Sequence, residues 1–103
     1  MKKGDIISVI TVSGEYIGKL DLKDFSSESG DIICLEDPRM IVQGPEGQMG
    51  FAQGVAVTGE KNPTSMQIQS YVFTTKTNEQ VAEAYRTHLS GIELPSKNLI
   101  VDK

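Results

Sequence analysis

One histidine and one cysteine limit the chemistry open to this chain. His88 lies in a helical stretch with no Cys or Asp at metal-ligand spacing, so it reads as a packing or capping residue. Cys34 sits inside an apolar run and reads as a small buried hydrophobe, not a nucleophile. Acidic pairs occur at Glu36-Asp37 and at Asp21/Asp24. Two carboxylates do acid–base work only in a cleft that drives their pKa values apart. These pairs fall at strand ends and in loops, where water solvates them. The glycines of "GPEGQMG" come with no Lys-Ser/Thr pair and open no helix, so they mark a turn and not a phosphate cradle. The chain therefore reads as a non-enzyme with no metal and no cofactor.

A second group of residues suits recognition. In "KDFSSESGD", Lys23, Phe25, Ser26 and Ser27 stand within five positions. A lysine can touch phosphate, an aromatic ring can stack a base, and hydroxyls can bond base edges. Phe25 has a second reading, as an apolar plug for the end of a small barrel, and burial statistics favour the plug.

These residues hang on a pattern of short strands. Residues 5–12 are β-branched and apolar on both faces, which predicts a strand in a barrel or at an interface. Ser13-Gly14 is a hairpin signal. Residues 15–22 alternate, with Tyr16, Leu20 and Leu22 on one face and Gly18 in a core-side position, where it lets the strand bend. Residues 31–36 predict a third strand, interrupted at Asp37-Pro38 and continuing extended over 39–43. Gly44–Gly47 is a turn, residues 48–57 a fourth strand, and 66–75 a fifth. The period then changes. Residues 77–90 predict a helix with Val81, Ala84, Tyr85, His88 and Leu89 on one face, a Thr77-x-x-Gln80 capping box and Gly91 as its C-cap. The expected organisation is one mainly β domain. A five-stranded bent-sheet barrel of the SH3-like, Sm-like or OB type spans 1–76, a C-terminal helix spans 77–91, and a tail spans 92–103.

Bulk properties agree with one thin-cored domain. The chain has 103 residues, 38% hydrophobic and 23% charged, so it is neither disordered nor richly apolar. Small β domains often complete their burial by oligomerising. The net charge of −4 argues against a strong, sequence-blind polyanion binder. Residues 1–25 are neutral, with Lys2, Lys3, Lys19 and Lys23 against four acids; the rest of the chain holds the negative excess. No apolar run approaches the ~18 residues of a membrane span, and Met1-Lys2-Lys3 leads straight into Gly4-Asp5 with no apolar signal core. A reduced, cytoplasmic protein without a membrane partner is expected, in a host cytoplasm if the source is viral.

The stretch around Val9, Val12, Gly14, Gly18, Leu20 and Asp24 resembles the first sequence motif of the Sm/LSm (Sm-like) proteins. There a strand and a glycine turn precede a bent strand carrying Gly and Leu, which leads to an Asp. "IICLED" resembles the strand that follows, and the 40–55 hairpin resembles the one before the second motif. The likeness covers residues 5–75 and suits a divergent, phage-encoded or environmental member. The chain departs from the family in a shorter first turn, in Glu28 where an Asn is usual, in Gln53-Gly54 where an Arg-Gly pair is usual, and in a helix after the strands instead of before them. The resemblance implies a homo-oligomeric ring that repeats Lys19, Lys23 and Arg39 about one axis and binds single-stranded RNA or DNA without catalysis. It implies contacts from Lys23, Phe25, Ser26, Ser27, Gln53 and Gly54, with Asp24 bracing the loop. The competing expectation is a structural or adaptor ring that binds protein, such as a viral assembly module, with partners the sequence does not name.

Overall fold

A computed structural model describes residues 2–21, 32–52 and 54–90. Among the described residues the chain is mainly β, with six antiparallel strands followed by one helix. Strand β1 (Ile6–Thr11) turns through Ser13-Gly14 into β2 (Gly14–Leu20), in the hairpin expected there. The Thr11 hydroxyl accepts from the Ser13 and Gly14 amides and ties the turn.

Strand β3 (Ile32–Gln43) runs straight through the Asp37-Pro38 interruption. Its register against β2 shifts between Ile17 and Lys19: Ile17 faces Arg39, but Lys19 faces Glu36. The extra residue is a bulge at Asp37, whose φ of 51° is left-handed, a conformation that Asp tolerates better than most residues. Gly18 lies opposite the bulge. A Cβ there would stand 3.0 Å from the Leu35 Cβ and 3.1 Å from the Glu36 carbonyl, so the two strands approach only because position 18 is glycine.

The Gly44–Gly47 turn leads to β4 (Met49–Phe51), with the Gly47 amide on the Gly44 carbonyl and Gly47 at φ 86°. Beyond Phe51 the expected strand over 48–57 stops, and residues 52 and 54–64 form turns. The expected strand over 66–75 is two strands, β5 (Ser65–Gln69) and β6 (Phe73–Lys76), broken at Ser70 with φ 66°. Six strands therefore replace the expected five.

The ladder runs β4-β3-β2-β1-β6, and β5 pairs with the first half of β3. Laid flat, the run β5-β3-β2-β1-β6 would put its end strands about 19 Å apart. Gln69 and Phe73 are joined by three residues, a link that reaches at most about 14 Å. The sheet is therefore strongly curled. It does not close into a barrel: among the described residues β5 pairs only with β3, and β6 only with β1.

Alternation along the strands sorts side chains to two faces. The inner face of the curl holds Ile7, Val9, Tyr16, Leu20, Leu35 and Ile68, with Met40 and Tyr71 packed against them. The outer face holds Ser8, Ile17, Arg39, Ile41 and Phe51, in register with one another across β1 to β4. Helix α1 (Glu79–Ser90) belongs to this outer side, through Tyr85, which is fully buried, and Ala82. Ala84, expected on the buried face, is exposed, and Ala82 takes its place. The helix cap is also shifted by one residue. The Asn78 side-chain oxygen accepts from the Val81 amide at 2.9 Å, while the Thr77 hydroxyl bonds Ser8 instead.

Candidate nucleic-acid interface

The structure fixes where the expected binding segments attach. β2 ends at Leu20, and β3 begins at Ile32. Lys23, Asp24, Phe25, Ser26 and Ser27 lie outside the described residues, as does Gln53. Gly54 is described and is buried. Its φ is 85°, and a Cβ would lie 2.7 Å from the Glu60 carbonyl, so its glycine serves the backbone of the 54–64 turns.

The described anchors of the two expected segments stand apart along β3. Ile32 pairs with Gln69, whereas the Ala52 amide bonds the Met40 carbonyl. Along β3 these points are eight residues apart, about 26 Å of strand. The segment that starts beside Ile32 is instead the β5–β6 corner, Ser70, Tyr71 and Val72. Sequence reasoning missed this corner because "QSYVFT" holds no Gly, Pro, Asn or Asp to mark a break. The left-handed Ser70 is its only irregularity.

The cations divide into exposed and withdrawn groups. Lys2, Lys3 and Lys76 are exposed. The Gly4 amide bonds the Leu20 carbonyl, which places Lys2 and Lys3 beside the start of the 22–31 segment. Asp5 sits among these cations. The Lys2 backbone amide bonds its carboxylate at 2.9 Å and, with the charges of Lys76 and Lys2, holds its pKa below the usual carboxylate value.

Two of the cations expected to line a ring do not face solvent freely. Lys19 pairs with Asp37 at 3.2 Å. Arg39 is 6% exposed and lies under the helix. Its Nε–H donates to His88 Nε2 at 3.2 Å, Nη1 to the Pro38 carbonyl at 2.7 Å, and Nη2 to Asn62 Oδ1 at 3.4 Å. A groove of about 510 Å³ between the helix end and β2 is lined by Ile6, Lys19, Asp37, Arg86 and Leu89. Its other cation, Arg86, pairs with Glu79 at 2.6 Å and Glu83 at 3.7 Å, so the groove offers an anion no uncompensated charge.

Tyr85 and His88 make packing contacts between the helix and the sheet. The Tyr85 hydroxyl donates to the Asp37 carbonyl at 2.6 Å, and burial followed by the Asp37 charge pushes its pKa above the ordinary phenol value. His88 packs on Phe51 with ring centroids 5.1 Å apart, in the packing role expected of it. Cys34 is buried and in no disulfide. Among the described residues, no three His, Cys, Asp or Glu side chains gather in a way that would hold a metal. No helix among them is long and apolar enough to cross a membrane. Comparison with protein-family models, with curated proteins and with solved structures returned no match.

Proposed function

We propose that this chain is a non-catalytic, Sm-like module that associates edge to edge into a ring and binds single-stranded RNA or DNA. One observation carries the reading: the curled ladder β5-β3-β2-β1-β6, whose two end strands are consecutive in the chain and whose outer edges are unpaired among the described residues. In this reading β5, β3, β2, β1 and β6 make a curled, open five-stranded sheet, and β4 is a hairpin extension. Unpaired edges invite strand addition, and a ring satisfies both at once. Phe73 and Val72, 52% and 59% exposed beside the β6 edge, supply apolar area for that contact.

The nucleic acid would follow the end of the sheet where β2 stops, beside Lys2 and Lys3, with Lys23 as a further expected contact. The Ser70–Tyr71 corner, which adjoins Ile32, stands beside Gln53-Gly54 as a further candidate contributor.

A protein-binding adaptor ring is the second reading. The burial of Arg39 and the pairing of Lys19 with Asp37 favour it, because together they take two uncompensated charges per subunit from any shared basic surface. Light scattering after size exclusion tests the ring, and fluorescence anisotropy with short oligouridine and oligothymidine tests binding. The nucleic-acid reading expects a stable oligomer whose affinity falls as salt rises. A monomer sinks the ring. An oligomer that ignores both oligonucleotides at low salt leaves the adaptor.

A further inference from the structure

The contact between Arg39 and His88 has an unusual composition. A guanidinium that is nine-tenths buried normally meets a carboxylate. Here no carboxylate among the described residues lies within ion-pair distance of either side chain. The partner of the Arg39 Nε–H is an imidazole nitrogen. Arg39 is protonated at any ordinary pH, so Nε2 must accept and His88 must be neutral for the bond to exist.

We propose that Arg39 and His88 form a proton-operated latch: protonation of His88 breaks its bond to Arg39 and releases the helix from the outer face of the sheet. Protonation turns Nε2 from acceptor to donor and sets two cations 3.2 Å apart in a space short of water.

Among the described residues, nothing beside His88 absorbs the new charge. From β3, the charged group facing His88 is Arg39 itself. From β4, the neighbour is the uncharged Phe51 ring. Asn62 reaches the cluster only through Arg39. On the helix, Tyr85 stays neutral and donates to the Asp37 carbonyl, and Lys19 and Asp37 neutralise each other. Burial first, then the Arg39 charge, moves the His88 pKa below its ordinary value.

The sign follows from that direction. The folded state binds the proton less readily than the unfolded one. Stability is therefore complete above the unfolded imidazole pKa of about 6.5 and is lost as pH falls through the folded value. Between those two values the unlatched fraction rises up to about tenfold per pH unit.

The test uses the full chain. Because His88 is the single histidine, its ring protons report the titration directly. Hydrogen exchange, corrected for its intrinsic pH dependence, is read over α1 and over β1–β2 near neutral pH and about one unit below pH 6.5. The latch expects His88 to titrate below its ordinary value, and α1 amides to open with acid while β1–β2 amides hold. His88→Gln keeps an acceptor for Arg39 but takes no proton in this range, so its α1 exchange should become independent of pH. Arg39→Met removes the opposing cation and should raise the His88 titration; it decides the matter alone if His88→Gln does not fold. Titration of wild-type His88 at or above its ordinary value overturns the latch. So does simultaneous opening of α1 and β1–β2, or acid opening of α1 that persists in His88→Gln.

Discussion

The two faces of this sheet are both buried, but different forces hold them. Inside the curl, Ile7, Val9 and Leu35 are 0% exposed, and the cluster around them is nearly all apolar. Its stability comes from area removed from water, which has no direction and no pH dependence. Under the helix, the buried groups include Ser8, Arg39, Tyr85 and the half-buried His88, each aimed at a named atom. Such contacts add little net stability each, but losing one partner strands the other. The inner face thus decides whether the chain folds, and the outer face decides where the helix sits.

Substitutions can break this contrast in order of size. Leu35→Ala removes a fully buried inner side chain and should cost about 3 kcal/mol in urea denaturation. A loss below about 1 kcal/mol would mean that the curl is loosely packed. Gly18→Ala forces a methyl against Leu35 and the Glu36 carbonyl and should cost about 2 kcal/mol. A neutral outcome would show that the β2–β3 approach can relax. On the other face, Tyr85→Phe keeps the buried ring but loses the bond to the Asp37 carbonyl, for about 1 kcal/mol. Its loss should appear as faster hydrogen exchange in α1 and not in β1–β2. Val12→Ala, at a position 97% exposed in the hairpin turn, should stay within about 0.5 kcal/mol by thermal unfolding.

Much of the fold was legible where local chemistry and tertiary structure agree. The Ser13-Gly14 hairpin, the Gly44–Gly47 turn and the Gly18 bend were read from residue types that few other conformations favour. Ser70 was not legible, because its left-handed backbone is imposed by the corner the chain must turn and not by serine. Asp37-Pro38 misled in the other direction: a proline normally stops a ladder, but a bulge accommodates it here. Thr77 and Asn78 both suit a cap, and only the distant Ser8 hydroxyl decides between them. Arg39 was read as a surface charge because arginine is rarely buried; nothing local announces Phe51, Tyr85 and His88 closing over it. Of the expected contact residues, Gly54 proved to serve its own turn, and the others lie outside the described residues.

The pairing of β1 with β6 also sets an order of events. β1 and β2 join through a tight turn, so their ladder can form early and at small entropic cost. β6 meets the same strand from the far end of the sheet, and the Ser8–Thr77 bond there joins residues 69 positions apart. That closure depends on the intervening strands being in place, so it belongs on the late side of the folding barrier. The β6 edge is then the last edge of the sheet to form.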